Sequence, residues 1–307
     1  MTAKIWIVVL NWNQPKLTIE CLESLQRLEI DKSWEVKIVI VDNKSSDSSV
    51  EQFRKLKPGK FGVEILETGA NLGFAGGNNV GMRAGLNRGC DYVMILNNDT
   101  FVHRKLAVQL VNAIEKDKKI GIVSPKIYFA KGYEFHKKRY KKSDLGKVLW
   151  YTGGIIDWKN IYGENRGVDE VDKGQYEKVE EIDFATGACF LVRARALQEV
   201  GLFDEKYFMY KEDEDLAVRM KRKGWKIIYE PKGVVWHKVA QSSGIGSNLN
   251  DYFISRNRLV FGFRYGSLRT KLALMRESLE LFITGRHWQA VGIRDFYVRR
   301  LGKGSWV

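Results

Sequence analysis

The sequence predicts an α/β fold: a mixed, mainly parallel sheet with flanking helices, followed by a C-terminal helical extension. Two observations carry this prediction. In the first hundred residues, apolar runs rich in β-branched side chains alternate with segments whose apolar residues recur at helical spacing. After Gly246 the pattern is helical and amphipathic to the end of the chain. We therefore predict a sheet domain over residues 1–245 and a helical extension over residues 246–307.

Strands and helices alternate in the first hundred residues. In chain order, the predicted elements are strand 5–10, helix 14–28, strand 36–41, helix 45–56, strand 63–66, helix 78–88 and strand 92–96. The strands are continuous apolar runs, which is typical of strands covered on both faces. Pro15 near the start of the first helix and Gly89 after the third are common helix boundaries. The β-α-β-α order predicts a parallel, doubly wound sheet.

Residues 130–180 have a different character, because they are charged, aromatic and punctuated by glycine. We predict an irregular insertion that extends the sheet rather than a separate domain. Strand-like segments occupy 149–158 and 180–192, followed by a short helix at 197–200 and a further strand at 225–230.

Composition and charge narrow the class of protein. The 307 residues are 44% hydrophobic and 29% charged, which is typical of a soluble globular protein. A net charge of +14 favours anionic partners such as nucleic acid, an acidic membrane surface or phosphorylated small molecules. The three cysteines, Cys21, Cys90 and Cys189, form no CxxC pair, so neither a disulfide framework nor a thiolate zinc site is indicated.

The N-terminal segment and the cysteines predict a cytoplasmic protein. The apolar run at 5–10 is too short for a signal peptide or a membrane span, and no other stretch reaches about 18 uncharged apolar residues. Odd, widely spaced cysteines fit a reducing compartment. We therefore expect a protein that is made and kept inside the cell without a transmembrane anchor.

Polar residues follow three of the predicted strands. Asn11 and Asn13 follow the first strand, Asp42 follows the second, and an Asn-Asn-Asp segment at 97–99 follows the fourth. Ligands of doubly wound sheets bind beyond the carboxyl ends of the strands, so these residues are expected to meet in one crevice. The segment at 97–99 offers the hard oxygen donors that Mg²⁺ or Mn²⁺ prefers, although the same residue types are also common in plain turns.

A glycine-rich segment, NLGFAGGNN at 71–79, opens the third predicted helix. Its backbone amides and the helix N-terminus could receive a phosphate group, or its glycines could serve only a tight turn. It matches neither the GxGxxG dinucleotide pattern nor the GxxxxGK(S/T) phosphate-binding pattern, so NAD and ATP lack their usual signatures. His237 follows an apolar VVW segment and is either a metal ligand or a hydrogen-bonded structural residue.

The most unusual local feature is a run of four acids, Glu212-Asp213-Glu214-Asp215, in a basic chain. Adjacent like charges are unfavourable unless they cap a helix, hold a cation or take part in proton transfer. Leu216, Ala217 and Met220 recur at helical spacing before Gly224, so the run fits a helix N-terminus, where acids complement the dipole. This segment alone leaves capping and catalysis both open.

Nine short motifs occur in an order that resembles a known family. They are VVLNWN at 8–13, VDNKSS at 41–46, NLGFAGGNN at 71–79, LNND at 96–99, TGAC at 186–189, FD at 203–204, YKEDEDL at 210–216, GW at 224–225 and WH at 236–237. Together they resemble the family 2 glycosyltransferases of the GT-A fold, in the branch of bacterial and archaeal rhamnosyltransferases. The resemblance covers residues 4–300 and implies a Rossmann-like, nucleotide-diphospho-sugar transferase domain over residues 1–245.

The resemblance implies a nucleotide-binding half of the site. Asp42 corresponds to the carboxylate that hydrogen-bonds the uracil or thymine ring of the donor, and Asn11 and Asn13 would lie near the same nucleotide. The remaining residues assigned to nucleotide binding are Asn71, Gly73, Asn78 and Asn98.

The resemblance also implies a metal site. Asp99 corresponds to the last Asp of the DxD motif, which binds the divalent metal, Mg²⁺ or Mn²⁺, on the diphosphate. His237 corresponds to a position that can complete this site. Asn97 replaces the first Asp of the motif, which weakens the expected metal affinity.

The implied reaction is an inverting hexosyl transfer. Asp213 corresponds to the general base, which takes the proton of the attacking acceptor hydroxyl. The acceptor side is assigned to Thr186, Gly187, Glu212 and Asp215. A charged Glu212 beside Asp213 is expected to raise the pKa of the base.

The C-terminal extension carries a second candidate surface, in which aromatic and apolar residues interleave with arginines. Its members are Tyr252, Phe253, Leu259, Phe261, Phe263, Tyr265, Phe282, Trp288, Phe296 and Tyr297, with Arg256, Arg258, Arg264, Arg269, Arg299 and Arg300. Basic amphipathic helices can lie on anionic lipid, which would suit a lipid-linked acceptor at the inner face of the cell membrane. The aromatic residues could equally form the helix core.

Three function hypotheses follow. The first is a metal-dependent, inverting glycosyltransferase that moves a sugar from dTDP-rhamnose or a UDP-hexose to a glycan or lipid-linked acceptor in cell-surface polysaccharide synthesis. The second is nucleic-acid binding, supported by the charge and the basic run at 137–142, but without a helix-turn-helix, zinc or RRM pattern. The third is an inactive, glycosyltransferase-like binding protein, which Asn97 and Lys211 favour and Asp99, Asp213 and His237 oppose.

Overall fold

The computed structural model describes residues 2–239 and 247–306. Its strands are β1 (Ala3–Asn11), β2 (Trp34–Asp42), β3 (Gly62–Glu67), β4 (Tyr92–Asn97), β5 (Thr100–Val102), β6 (Ile120–Phe129), β7 (Leu149–Tyr151), β8 (Gly154–Asp157), β9 (Tyr162–Asn165), β10 (Glu180–Glu181), β11 (Cys189–Arg193) and β12 (Lys226–His237). Its α-helices are α1 (Pro15–Leu25), α2 (Ser49–Arg54), α3 (Gly73–Asn87), α4 (Leu106–Ile114), α5 (Ala194–Val200), α6 (Glu212–Arg222), α7 (Asn248–Tyr265), α8 (Leu268–Thr284) and α9 (His287–Tyr297).

One large sheet forms the centre of the protein. Its main strand order is β10-β12-β6-β11-β4-β1-β2-β3, and β5 and β7 pair with β12 and β6. Strands β1 to β4 pair in parallel with one another, and β6 pairs in parallel with β12. Strand β11 lies between β4 and β6 and runs antiparallel to both. The predicted mixed, mainly parallel sheet with flanking helices is therefore confirmed.

The first hundred residues have the predicted order of elements, with shifted boundaries. Helix α3 begins at Gly73 rather than at residue 78. Strand β12 is longer than the predicted strand at 225–230, because a register shift between Glu230 and Val234 accommodates the intervening Pro231. No element is assigned from the sequence between residues 100 and 129, where β5, α4 and β6 lie.

Glycines let helix α3 lie close to strand β1. A side chain at Gly77 would meet Leu10 at 2.4 Å, and one at Gly81 would meet Val8 at 2.4 Å. One turn further, a side chain at Gly85 would meet Trp6 at 2.7 Å. Glycines four positions apart share one face of a helix, so this spacing lets α3 approach the sheet closely and aims its N-terminus at the carboxyl end of β1.

The C-terminal extension is helical, as predicted. Helix α7 packs against α8 and α9. Its aromatic residues Tyr252, Phe253 and Phe261 are fully buried, and so is Arg256. For Tyr252, Phe253 and Phe261 the core interpretation therefore holds, and contact of the extension with a membrane stays a prediction. None of the described helices is both long and apolar enough to cross a membrane.

The predicted boundary between the sheet domain and the extension, at 245/246, lies outside the described residues. The division into two domains therefore stays a prediction.

Candidate active site

Two adjoining cavities open at the carboxyl ends of β1 and β4. The strand-end cavity is lined by Leu10, Trp12, Gln14, Asn43, Asn71, Gly73, Phe74, Asn97, Asn98, Asp99 and Met209. The larger acidic cavity includes Trp150, Tyr162, Thr186, Gly187, Glu212, Asp213, Glu214 and His237 in its lining. Phe74, Asn97, Asp99 and Met209 line both cavities, so the two form one cleft.

Sheet pairing brings Asp99 and His237 together. Asp99 lies in the turn between β4 and β5, and β5 pairs with β12 so that Thr100 faces His237. The Nε2 atom of His237 lies 3.0 Å from Oδ1 of Asp99, and both residues are buried. Burial would raise the pKa of Asp99, but the charge of His237 and the further charge of Lys238 outweigh it and hold the pKa below its usual value. The predicted metal residues therefore form a buried acid–imidazole pair.

This pair suits a divalent cation. The contact between Asp99 and His237 is close but is not a well-aligned hydrogen bond. Within residues 2–239 and 247–306, Oδ1 of Asp99 and Nδ1 of His237 have no hydrogen-bond partner, and no three His, Cys, Asp or Glu side chains are grouped as a complete metal site. One carboxylate and one imidazole leave coordination positions that diphosphate oxygens could fill, as is usual for Mg²⁺.

The residues predicted to bind the nucleotide occupy different positions. Asn71, Gly73 and Asn98 line the strand-end cavity. Asn13 instead lines a neighbouring cavity with Lys238, and its Oδ1 accepts the N–H of Ser46 at 2.7 Å.

Asn11 and Asp42 lie beneath the cleft rather than in it. Asn11 is fully buried and donates to Oδ1 of Asp42 at 2.9 Å, while its own Oδ1 accepts from Thr18 at 2.7 Å. Asp42 is also buried and accepts from the hydroxyl of Ser45 at 2.6 Å and from its N–H at 2.9 Å. Both side chains brace the turn after β2 and line neither cavity of the cleft. Because a carboxylate can accept further hydrogen bonds, the assignment of Asn11 and Asp42 to nucleotide binding stays a prediction.

Asn78 is also removed from the cleft. It is 1% exposed within α3 and donates to the carbonyl oxygen of Phe74 at 3.0 Å. It lines neither cavity, because the helix extends back to Gly73 and turns this side chain inward.

Asn43 is a cleft residue that the sequence interpretation missed. Its Nδ2 donates to Oδ1 of Asn71 at 3.1 Å and to the carbonyl oxygen of Gly73 at 3.0 Å, and its Oδ1 accepts the N–H of Leu72 at 2.9 Å. Asn43 thereby holds the glycine-rich turn against β2. The available signal was its place beside Asp42 at the end of a strand.

The glycine-rich turn contacts the segment that precedes the four acids. Gly73 has a φ of +69°, and a side chain there would meet the carbonyl oxygen of Phe208 at 2.4 Å. The same carbonyl oxygen accepts the N–H of Ala75 at 3.0 Å. Only glycine satisfies both the backbone angle and this close approach, so the turn and the acidic segment are held in register.

Asp213 faces the acidic cavity at the start of α6. Its Oδ2 accepts the N–H of Gly187 at 2.9 Å, and its Oδ1 accepts the N–H of Glu214 at 2.9 Å. Burial raises the pKa of Asp213, although the two backbone N–H groups oppose this rise. Thr186 and Gly187, both predicted for the acceptor side, line the same cavity.

Glu212 is a buried carboxyl group of the cleft with one oxygen that lacks a hydrogen-bond partner in the described part of the chain. It is 4% exposed, and that oxygen is Oε2. Burial, followed by the charge of Asp213, raises the pKa of Glu212 well above its usual value. The sequence interpretation expected Glu212 to raise the pKa of Asp213, whereas burial is the main cause for both residues.

The other two acids of the run are paired with cations, and one of them also accepts a hydrogen bond from a hydroxyl group. Glu214 lines the cavity but binds Nζ of Lys211 through both oxygens, at 2.9 and 2.8 Å. Asp215 is fully buried, outside the cavity lining, and accepts from Arg219 at 2.7 Å and from Tyr265 at 2.7 Å. The assignment of Asp215 to the acceptor side is therefore wrong, because this side chain points towards α7.

A buried pair on α7 holds the backbone that leads into α6. Phe208, Tyr210 and Lys211 have positive φ angles of 65°, 66° and 74°, which are unfavourable for side chains of this size. Nδ2 of Asn257 contacts the carbonyl oxygens of residues 207, 209 and 210 at 2.9, 2.7 and 2.9 Å. Arg256 adds a contact of 2.9 Å to the first of these oxygens. Local sequence gives no signal for this support.

A doubly wound sheet whose strand ends border one cleft, with an acid–imidazole pair and a buried carboxylate in its lining, is the arrangement of the GT-A fold. Residues 6–201 match the family model described as Glycosyl transferase family 2, and residues 169–300 match the one described as Glycosyl transferase family group 2. The chain therefore belongs to glycosyl transferase family 2, which confirms the resemblance inferred from its motifs.

Similar proteins include enzymes with known activities. The chain is 30% identical over 234 residues to an N-acetylglucosaminyl-diphospho-decaprenol L-rhamnosyltransferase of Mycobacterium tuberculosis, which covers 72% of each chain. A structure of GalNAc-T7 with UDP, GalNAc and Mn²⁺ superposes with a TM-score of 0.61 at 15% identity, over 90% of this chain and 54% of that one. A Pyrobaculum calidifontis mannosyltransferase with GDP-Man and Mn²⁺ gives 0.56 at 14% identity, over 97% and 75%. The two structural similarities support the predicted fold.

Proposed function

We propose that the protein is an inverting glycosyltransferase that uses a nucleotide-diphosphate sugar, dTDP-rhamnose or a UDP-hexose, as donor. The acceptor is a hydroxyl group of a glycan or lipid-linked saccharide in cell-surface polysaccharide synthesis. The observation that carries the proposal is the position of Asp213, a base aimed by the N–H of Gly187 into the same cleft as Asp99 and His237.

The geometry supports a single displacement. An acceptor hydroxyl in the acidic cavity attacks the anomeric carbon from the side opposite the diphosphate, and Asp213 takes its proton. Burial raises the pKa of Asp213, which makes the carboxylate a stronger base once it is ionised. This displacement inverts the anomeric centre and needs no nucleophilic carboxylate.

The donor diphosphate belongs at the other side of the cleft. A divalent ion, Mg²⁺ or Mn²⁺, held by Asp99 and His237 would offset the charge that grows on the leaving diphosphate. The start of α3, where Asn71, Gly73 and Phe74 line the strand-end cavity, would favour the negative charge of the diphosphate through the helix dipole.

The donor and acceptor classes draw support from the relatives. The Mycobacterium relative is named for rhamnose transfer to a lipid-linked diphosphate sugar. By analogy, we place the activity at the cytoplasmic face of the cell membrane, where the basic chain would meet anionic lipid.

Donor binding tests this proposal directly. Thermal unfolding is measured with a panel of nucleotide sugars, with Mn²⁺, Mg²⁺ or a chelator. A true donor at 100 times its Kd stabilises the fold by about 2.7 kcal/mol. Asp99→Ala should weaken the metal-dependent part of donor binding by about tenfold or more. If no nucleotide sugar stabilises the protein but DNA binds it in a salt-dependent manner, the nucleic-acid hypothesis replaces this one.

A further inference from the structure

Helix α8 carries an apolar stripe on its solvent-facing side. The α8 stripe consists of Leu268, Leu272, Met275, Leu279, Phe282 and Ile283. Their exposed fractions range from 40% for Met275 to 82% for Ile283. Because successive members lie one, three or four positions apart, they share one side of the helix. The opposite side contains the buried Thr270 and Leu274, and the helix packs against α7 and α9.

The stripe continues onto the end of α9. The hydroxyl of Tyr297 lies 2.7 Å from Oγ of Ser278 on α8, and Tyr297 and Val298 are both exposed. Single exposed apolar side chains are normal on a protein surface, but a contiguous patch of this kind marks a surface that binds something.

Cations border the stripe on both sides. At 100° per residue, Lys271 lies along one edge of the α8 stripe and Arg269 and Arg276 along the other. The ion pairs of this region join Arg258 to Glu277, Arg286 to Asp251 and Arg294 to Asp295. None of the three border cations has a carboxylate partner among the described residues. Glu280 is the acid of α8 that lies nearest to the stripe around the helix axis, and it lies beyond the edge formed by the two arginines. An apolar stripe with a cationic border is the pattern of helices that lie in a membrane interface.

We propose that α8 docks on an anionic lipid surface, with the stripe at the level of the acyl chains and Arg269, Lys271 and Arg276 among the headgroups. A second copy of the chain fits less well, because its own cationic border would face this one. The charged residues along α8 also keep it at the interface rather than across the membrane. This surface replaces the α7 residues Tyr252, Phe253 and Phe261, which are buried.

The side of α8 that faces the protein is linked to the acceptor side of the cleft. Glu277 of α8 accepts two hydrogen bonds from Arg258, at 2.6 and 2.9 Å. The guanidinium of Arg258 in turn stacks 4.2 Å from the ring centre of Tyr162, which lines the acidic cavity. The inference deepens the proposed function, on which its biological meaning rests, because a lipid-linked acceptor would then meet Asp213 close to the membrane.

Vesicle binding tests the docking surface without any donor or acceptor. The full chain is sedimented with vesicles of phosphatidylglycerol and phosphatidylcholine in about a 1:2 ratio, and with phosphatidylcholine alone. The double variant Leu279→Gln with Ile283→Gln should lose about tenfold or more of its partitioning onto the anionic vesicles. The matched control, Val168→Gln with Val179→Gln, changes exposed apolar residues outside α8 and should bind like the wild type.

The charged border has its own test. Arg269→Gln with Arg276→Gln should weaken binding to the anionic vesicles several-fold and have little effect on phosphatidylcholine alone. Raising the salt concentration should reduce wild-type binding in the same way.

Three results would overturn the proposal: no vesicle binding by the wild type, equal binding by the stripe and control variants, or a dimer that the stripe variant dissociates in light scattering. Thermal stabilisation by a nucleotide sugar, measured in parallel, shows separately whether the proposed activity stands. A protein that binds donor but not vesicles refutes the docking surface alone.

Discussion

The first turn of α6 places two acids of one run in opposite environments. Asp213 lines the acidic cavity and accepts two backbone N–H groups. Asp215 is fully buried on the other side and accepts from side chains of α6 and α7. Residues two positions apart on a helix point about 200° away from each other. The run of four acids therefore contains two separate environments: the structural interpretation holds for Asp215, and the catalytic interpretation stays a proposal for Asp213.

The neighbouring acids sharpen the same contrast. Glu214 is balanced by the cation of Lys211, whereas Glu212 is buried beside Asp213 with an unsatisfied oxygen among the residues described. Uncompensated buried carboxyl groups cost stability. They therefore persist mainly at functional sites, where their chemistry is needed. The cleft thus retains an unsatisfied carboxyl group at Glu212, whereas cations balance Glu214 and Asp215.

Replacing Asp213, on the cleft side of the first turn of α6, should have the largest effect on activity. We expect Asp213→Asn to lower kcat by about 100-fold to 10,000-fold, because the acceptor hydroxyl loses its proton acceptor. Donor binding and the free energy of unfolding should change little. Initial rates and donor titrations measure both quantities, with Asp117→Asn, a surface acid paired with Lys226, as the matched control. Near wild-type turnover by the variant would remove Asp213 from the mechanism.

Replacing Asp215 should give the converse result. Asp215→Asn breaks the buried ion pair with Arg219 and the contact with Arg264, and we expect it to lower the free energy of unfolding by about 3 kcal/mol. The remaining folded enzyme should keep most of its kcat, since the side chain lies outside the cleft lining. Urea denaturation and activity per folded molecule test this pair of outcomes. A large loss of kcat with unchanged stability would mean that the two acids have been assigned the wrong roles.

Asn257 supports the segment before α6, so its replacement should affect both the position of Asp213 in the cleft and the stability of the fold. Asn257→Ala removes a donor shared by three carbonyl oxygens of the segment before α6. We expect a loss of about 1–3 kcal/mol in the free energy of unfolding and about a tenfold fall in kcat, because the strained segment would relax and move Asp213. Donor affinity should be unchanged. Asn87→Ala, at an exposed position at the end of α3, is the control; a fall in stability alone would give Asn257 a purely structural role.

The sequence predicted the order of elements better than the orientation of side chains. Continuous apolar runs and strand-end polar residues suffice for β1 to β4 and for the motifs that contain Asp99 and Asp213. Whether Asp42 faces the cleft depends on Asn11 and Ser45, which engage its carboxylate only after the turn has folded. The support from Asn257 comes from 47 to 50 residues away, so no local pattern could reveal it. The position of Asp215 was accessible in principle, since helical geometry alone separates it from Asp213.

The smallest expected effect concerns Glu212 and pH. The raised pKa means that the folded protein holds this proton more tightly than the unfolded chain, whose carboxyl group titrates near the ordinary value of 4.5. The folded state therefore loses stability relative to the unfolded state as pH rises above that value towards the raised pKa. Glu212→Gln mimics the neutral form and should be the more stable protein at neutral pH, by on the order of 1 kcal/mol, with the difference shrinking towards pH 4.5. Urea unfolding across this pH range, with the exposed Glu23→Gln as control, measures the slope; a difference that grows as pH falls would refute the assignment of the raised pKa to Glu212.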